Sequence, residues 1–431
     1  MKAKNGKLFF RGLHIPDKKE RSKEIPIAPF EPDEVSIPLK QHIGAPAEPV
    51  VSVGDEVKRG QLIGKAGGLI SANVHASIAG KVTAIAERAD GKGGTCIHIT
   101  IARGAGGDDY LPPLATPSGE EIAERIRQAG IVGMGGAGFP AHVKAKPPVP
   151  VDTLILNGAE CEPYLTCDDR LMREQTEKIV RGAKYLAVAL NASRTVIAIE
   201  KNKPEAIARF EETELEVVKL KKQYPMGSEK HLIYCCTGRK VPLGKLPADA
   251  GVCVQNVAAA FAVCEAVELG KPLFERVVTL SGGGAQTPKN LLCPVGTPLS
   301  ALLNEAHATE DAAKFVAGGP MTGTALTGAN GVVTKTTSGF LLLTQAETNP
   351  EAPTPCINCG KCADVCPMRL MPMQTAFYTA AQEFELADKY GGVRSCIECG
   401  ACSYICPARR PLAQAIKTAK AALAPKKGGN K

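Results

Sequence analysis

The chain is 431 residues long, enough for about three domains, and its 52 Lys+Arg against 44 Asp+Glu give a formal net charge of +8. Tryptophan is absent and aromatics make up 4%, while glycine (44) and proline (32) are abundant; this argues against a helical bundle and for compact α/β and small β modules with many turns. No run of about 18 or more uncharged apolar residues exists, so no membrane-spanning helix is expected, and basic residues are not interleaved with aromatics as nucleic-acid binding would want.

In chain order, the start Met1-Lys-Ala-Lys-Asn-Gly-Lys7 lacks the apolar stretch of a signal peptide. Lys18, Lys19, Arg21 and Lys23 form a basic cluster, matched near the end by Arg409, Arg410, Lys417, Lys420, Lys426, Lys427 and Lys431. Both read as solvated surface, with docking of an acidic electron carrier or an anionic membrane face as the alternative. Residues 34–102 are short β runs between turns. Val50 to Ile63 contains V-S-V-G-D-E-V-K-R-G-Q, and Ala76 to Ile85 reads as the returning strand. The pattern resembles the flattened β-barrel of biotinyl and lipoyl carriers. Those carriers bear their cofactor on a hairpin lysine; here Lys65 lacks flanking methionines, so the barrel reads as a packing module.

Ser118 is a candidate N-cap for a helix to Gly130, with Glu120 and Glu121 in its first turn. Behind it lies Gly133-Met-Gly135-Gly136-Ala-Gly138-Phe139, followed by Lys144. A backbone this bare can approach a phosphate or a planar ring through its amides. A tight turn is the plain alternative. Val151–Leu156, Thr195–Glu200 and Leu215–Leu220 read as buried strands, with a helix over Lys203–Glu212, so an α/β layer is expected. Asn157, Glu160 and Glu162 follow the first strand, where α/β ligands bind. Residues 272–345 return to short strands, and the proline-rich stretch 347–355 reads as a linker.

Sixteen cysteines in a chain without an export signal imply a reducing compartment and thiols committed to metal. Eight fall in two matched runs, Cys356-x2-Cys359-x2-Cys362-x3-Cys366-Pro367 and Cys396-x2-Cys399-x2-Cys402-x3-Cys406-Pro407. This is the spacing that wraps a [4Fe–4S] cubane, with the fourth cysteine of each run ligating the other cluster. Cys356, Cys359 and Cys362 are therefore expected to share one cluster with Cys406, and Cys396, Cys399 and Cys402 the other with Cys366. Gly360 and Gly400 sit where the backbone must turn tightly. Structural zinc, the rival reading, prefers paired C-x2-C motifs farther apart. Between the runs, Gln374 to Asp388 reads helical. The other eight cysteines (Cys96, Cys161, Cys167, Cys235, Cys236, Cys253, Cys264, Cys293) are irregularly spaced and read as small buried apolar residues.

Gly133 to Lys144, Asn157-x2-Glu160-x-Glu162-Pro163, Asp169-Arg170, Tyr224-x2-Gly227-x-Glu229 and Gln255-Asn256-Val257 together resemble the NADH- and FMN-binding flavoprotein subunit of respiratory complex I. With the barrel ahead and the cysteine runs behind, the order is similar to the RnfC family of Rnf electron transport complexes; Phe10-Arg-Gly-Leu-His14-Ile-Pro16 resembles that family's entry motif. The resemblance implies an α/β multidomain chain: a barrel module over 1–112, a Rossmann-like FMN/NADH domain over 113–271, a β-grasp module over 272–346, a helical two-cluster ferredoxin module over 347–424 and a disordered tail at 425–431. It implies that Gly133, Gly135, Gly136, Gly138 and Lys144 cradle FMN, and that Asn157, Glu160, Gln255 and Asn256 contact its ribityl chain or ring. Phe139, Glu162 and Glu229 would lie toward NAD(H). Ala159, Ser228, Leu246 and Pro147 depart from the complex I pattern, the last two where that family has aromatics near adenine.

Hydride transfer moves two electrons and a cubane accepts one, so a flavin between them is needed to split the pair. The resemblance implies ferredoxin:NAD+ oxidoreduction coupled to Na+ or H+ transport, with the chain peripheral on the cytoplasmic face of the membrane. Its implied partners are the membrane subunits, the complex's other iron–sulfur subunit and, indirectly, ferredoxin. Two rival readings are a microcompartment cobalamin reductase and a cluster-bearing electron wire that binds no nucleotide.

Overall fold

The computed structural model describes residues 4–9, 11–89, 94–348 and 351–424; the tail expected to be disordered lies outside them. Two short strands come first, β1 (Lys4–Asn5) and β2 (Ile27–Pro29), and neither joins its neighbours in sequence. β1 pairs in parallel with Val218 and Lys219, while β2 pairs in parallel with Asn290–Leu292. The described residues ahead of Glu34 therefore form a strap across two other sheets rather than part of the barrel.

The barrel follows: β3 (Glu34–Pro38), β4 (Ala47–Pro49), β5 (Glu56–Val57), β6 (Leu62–Ala66), β7 (Val74–His75), β8 (Gly80–Ala89) and β9 (Thr95–Arg103). They form two small sheets, ordered β3-β9-β8-β5 and β4-β6-β7. Alternate residues such as Val35, Ile37, Ile99 and Ile101 turn inward onto one core with Ile63, Val74 and Val82. Lys65 is exposed at the end of β6.

Next come α1 (Gly119–Gln128), α2 (Ala141–Ala145), β10 (Thr153–Gly158), α3 (Cys167–Glu174), α4 (Thr176–Leu190), β11 (Arg194–Glu200), α5 (Pro204–Glu211), β12 (Glu216–Leu220), α6 (Glu229–Thr237), β13 (Val252–Asn256) and α7 (Val257–Glu268). Ser118 caps α1 in a reciprocal capping box with Glu121. The strands make a five-stranded parallel sheet, β1-β12-β11-β10-β13, covered on both faces, which is why they read as continuous apolar runs. From β10 the chain steps outward to β11 and β12, then crosses back to lay β13 on the other side of β10. The order reverses between β10 and β13, and it is in the crevice outside the carboxyl ends at such a reversal that open α/β sheets bind their ligands.

A mixed six-stranded sheet follows, from β14 (Glu275–Ser281), β15 (Lys289–Pro294), α8 (Leu299–Glu305), β16 (Ala312–Ala317), β17 (Thr324–Ala325) and β18 (Gly339–Thr344), ordered β17-β16-β18-β14-β15-β2. Leu299 and Leu302 of α8 pack onto Val278, Leu280, Phe340 and Leu342.

The C-terminal module is helical: α9 (Lys361–Asp364), α10 (Pro372–Ala380), α11 (Phe384–Gly391), α12 (Ala401–Tyr404) and α13 (Leu412–Leu423). The single helix read over Gln374–Asp388 is two, because Gln382 takes a left-handed conformation (φ 60°) between them. No helix among the described residues is long and apolar enough to cross a membrane.

Barrel, α/β domain and mixed sheet meet at Lys335. Its buried Nζ donates to Asn73 O (2.6 Å) and Gly130 O (2.7 Å). Nearby His75 is buried with Nδ1 unpaired. Burial, reinforced by the charge of Lys335, pushes its imidazole down to about 3. The unfolded chain then holds a proton that the native chain refuses, so this contribution to stability is present above pH ~6.5 and is lost as pH falls toward ~3. The expected outcome is that His75→Asn flattens the fall in thermal-unfolding midpoint between those pH values relative to wild type. Parallel curves for the two proteins would disprove it.

Candidate functional site

The crevice at the strand reversal gathers residues from three segments. Asn157 of β10 stands in register with Asn256 of β13, and Leu156 with Gln255. Over them lies the glycine loop, closed by Gly133 N donating to Phe139 O at 2.8 Å. A Cβ on Gly135 would stand 3.4 Å from Asn256 Nδ2, and one on Gly136 would meet nothing within 4 Å. Gly135 and Gly136 are exposed, so bare backbone faces the opening, with half-buried Phe139 beside it. Gly138 has φ +69° and abuts Gln41 O and Thr336, which brings barrel and mixed sheet up against the loop.

Asn256 accepts from Ala258 N (2.8 Å) as the N-cap of α7 and donates Nδ2 to Asp168 (2.7 Å). Burial raises the Asp168 carboxyl above the usual range. Asn157 donates to Gly227 O (3.0 Å) and accepts from Ala159 N (3.1 Å). Gln255 is 2% exposed, yet neither its Nε2 nor its Oε1 has a partner. Buried amides are almost always paired. An orphaned amide at the end of a strand bordering this crevice fits a ligand that brings its own donors and acceptors, as a flavin with its ribityl chain does.

Four other expected site residues have partners within the protein. Lys144 donates to Glu229 (2.8 Å) and to Val254 O (3.1 Å), so the cation expected for phosphate and a carboxylate expected toward the nucleotide are paired with each other. Glu160, at φ +43°, accepts from Asp168 N (2.7 Å) and is ion-paired to Lys19 (3.3 Å). Glu162 accepts from Met321 N (3.0 Å) and from Thr322 Oγ1 of the mixed sheet, and burial raises its carboxyl.

Lys19 corrects the surface reading of its cluster. It is 6% exposed and also donates to the carbonyls of Glu160 and Leu165. Burial opposes its charge, but Glu160 and then Glu200 raise its pKa on balance. Lys203, equally buried, donates to Ala159 O at 2.6 Å. Two lysines thus tie down the loop that carries Glu160 and Glu162. No local pattern marks them; an isolated lysine in a basic run looks solvated. Breaking a buried pair leaves an uncompensated charge costing about 3–5 kcal/mol. Lys19→Met should therefore lower unfolding free energy by that order in a denaturant titration, and Lys19→Met/Glu160→Gln should recover part of it. A single-variant loss below about 1 kcal/mol, the scale of exposed pairs, would contradict this.

The two cysteine runs fold alike. Gly360 and Gly400 are left-handed (φ 76° and 77°) and start α9 and α12. Asn358 and Glu398 are left-handed too (φ 54° and 56°), a matched strain that no sequence pattern announces. Their amides turn onto sulfur: Asn358 N donates to Cys356 Sγ (3.4 Å), Glu398 N to Cys396 Sγ (3.3 Å) and Leu370 N to Cys366 Sγ (3.3 Å). Cys366, Cys396, Cys399 and Cys402 line one cavity of about 380 Å³, part of it open to solvent. Burial, with the neighbouring thiols, pushes Cys402 up to about 12 and Cys399 to about 11. Bound iron would offset that cost of thiolate formation. Cys362 and Cys406 pack in one cluster with Leu412 and Ile416. The fourth cysteine of each run thus lies toward the other run. Among the described residues no three His, Cys, Asp or Glu side chains close on one point as a single metal ion would need; a cubane holds its thiolates farther apart. Of the other eight cysteines six are buried, while Cys161 and Cys236 are half-buried. Cys366→Ser should lower iron from about eight to about four per chain, the cluster lost being that of the second run. Loss of the first run's cluster instead would refute the exchange of fourth ligands.

Three known domain families match along the chain: the RnfC barrel sandwich hybrid domain over residues 7–104, the Nuo51 FMN-binding domain over 126–265 and the 4Fe-4S dicluster domain over 350–407. The RnfC-type subunit of the proton-translocating ferredoxin:NAD(+) oxidoreductase complex of Clostridium ljungdahlii is 44% identical over 404 residues, 89% of this chain and 88% of that one. Its counterpart in the Na(+)-translocating complex of Acetobacterium woodii is 40% identical over 88% of each chain. The corresponding subunit of the ion-translocating oxidoreductase complex of Rhodobacter capsulatus is 44% identical over 88% of this chain and 76% of that one. Likeness of this degree along nearly the whole length shows that the chain belongs to the RnfC family of subunits of ion-translocating ferredoxin:NAD+ oxidoreductase complexes.

Proposed function

We propose that this subunit passes electrons between NAD(H) and the rest of its complex, through FMN in the β10–β13 crevice and then through the two cysteine-bound clusters. The observation that carries the reading is the orphaned amide of Gln255, next in the chain to Asn256, against which the bare glycine loop packs at the strand reversal. FMN, when bound, would exchange an electron pair with NAD(H) and single electrons with iron–sulfur clusters. The protein's own work is positioning: loop amides at Gly135, Gly136 and Gly138 for the phosphate, and Asn157, Gln255 and Asn256 for the ribityl chain and ring. Lys144 reaches the phosphate only by leaving or sharing Glu229, so the two act together at the nucleotide side. Phe139 borders the loop. Glu160 and Glu162 support the site from beneath, holding the loop after β10 against Lys19 and the mixed sheet.

We take the working divisions as a barrel over 34–112, a flavin domain over 113–271, a mixed sheet over 272–346 and a cluster module over 347–424, with the strap shared among them. The names of the relatives support ferredoxin:NAD+ oxidoreduction coupled to Na+ or H+ movement; we further propose that this chain is peripheral on the cytoplasmic face, docked to membrane subunits and a further iron–sulfur subunit of its complex.

The test is anaerobic purification followed by assays of iron, sulfide and acid-released FMN. About eight iron and one FMN per chain, bleached by NADH, are expected. Iron without FMN, or FMN and iron that NADH does not bleach, would favour an electron wire. Because a side chain at Gly136 has open space, Gly136→Leu should fold and keep its iron but lose FMN. Full FMN retention in that variant would remove the glycine loop from the site.

A further inference from the structure

The crevice and the cysteine cavity lie on different modules, and one side chain joins them. Tyr224 is 3% exposed, and its hydroxyl donates to the carbonyl oxygen of Cys399 at 2.6 Å. Its backbone exchanges two hydrogen bonds of 2.8 Å with Leu13 of the strap, and the strap's Gly12 N donates to Val365 O of the cluster module (3.0 Å). On the crevice side, Gly227 is three residues further along. It accepts from Asn157 Nδ2 (3.0 Å) and its N–H donates to Cys161 Sγ (3.4 Å). Tyr224 packs with Leu13, Ile15, Ala401, Cys161 and Cys399 in one apolar cluster. A Cβ on Gly400 would stand 2.6 Å from Met321 O, so the second cysteine run lies hard against the body of the protein. The first run faces outward, with Cys356 and Cys359 exposed.

We infer that Tyr224 is a positioning residue for electron transfer: its hydroxyl fixes the Cys399 loop against the flavin domain, raises the potential of the cluster held by Cys366, Cys396, Cys399 and Cys402, and completes a hydrogen-bonded route to it from the crevice. The inference rests on the proposed flavin and cluster sites. The route runs Asn157, Gly227, the backbone to Tyr224, then Cys399. A single electron passes between flavin and cluster in either direction; Tyr224 keeps its proton and is not oxidised. Reduction adds negative charge to the cluster. The hydrogen end of a buried O–H dipole aimed at a ligand's carbonyl stabilises that charge, because hydrogen bonding around a cluster sets its potential and low polarity magnifies the effect.

The test compares wild type, Tyr224→Phe and a chain carrying difluorotyrosine at position 224, an isosteric and stronger donor, as full-length anaerobic protein. Iron and FMN are measured first; if wild type lacks either, the proposed sites themselves fail. With both present, redox titration followed by EPR should show the potential of one cluster, the one lost in Cys366→Ser, moving down in Tyr224→Phe and up with difluorotyrosine. Cluster reduction after rapid mixing with NADH should slow several-fold in Tyr224→Phe. Unshifted potentials and unchanged rates at full iron and FMN would overturn the inference, as would equal shifts in both clusters. If Tyr224→Phe loses iron, the difluorotyrosine chain decides alone: an upward shift of that one cluster supports the inference, and none overturns it.

Discussion

The buried ion pair of Lys19 and Glu160 is the interaction on which the electron-carrying geometry depends. It clamps the loop after β10, which no regular secondary structure supports: Glu160 and Tyr164 are both left-handed there. That loop touches everything of consequence. Glu160 takes the amide of Asp168, whose carboxylate holds Asn256 at the crevice. Cys161 packs toward Cys399, and Glu162 holds the mixed sheet at Met321. A charge pair taken out of water offsets its desolvation only when the geometry is good and the remaining hydrogen bonds are made. Here backbone carbonyls of Glu160 and Leu165 complete the lysine's shell.

Lys19 belongs to the strap, which makes contact with three of the four modules. In some twenty-five residues it extends the parallel sheet with β1, bonds Val365 and Tyr224, buries Lys19 and extends the mixed sheet with β2. Electron transfer is steep in distance, so centres on separate modules must be held in fixed register. A segment hydrogen-bonded to each of three modules does this with little added mass. The barrel joins through a different contact, the buried Lys335 and the backbone of Gln41 and His42 beneath the glycine loop. The barrel is packed against the other modules, with Lys65 exposed at the end of β6.

The two cluster sites show how a repeat diverges in setting while keeping its chemistry. Matched left-handed residues, matched glycines and matched amide-to-sulfur bonds recur in both runs. The surroundings differ: the second run is packed against Tyr224 and Met321, the first opens to solvent. Cluster potentials follow hydrogen bonding and solvent exposure, so two similar ligand sets in unlike settings suit an inner and an outer relay.

What the sequence determined by itself is the chemistry encoded at short range. Cysteine spacing specified two cubanes, because ligation needs fixed separations along the chain. Apolar runs and a capping Ser118 specified β10, β11, β12 and α1, because periodicity and caps are local. The glycines at 133–138 marked a bare loop over the crevice, and the resemblance in its motifs carried the family. Only the tertiary structure decided the partners. Lys19 looked solvated and is buried. Lys144 and Glu229, expected as ligand contacts, are paired with each other, and Glu162, expected toward the nucleotide, is hydrogen-bonded to another module. Gln382 broke a helix that its neighbours' pattern allowed. Each of the three pairings joins residues far apart in the chain, and burial, charge pairing and the reversal of strand order appear only when the sheet is closed and its strap laid across it.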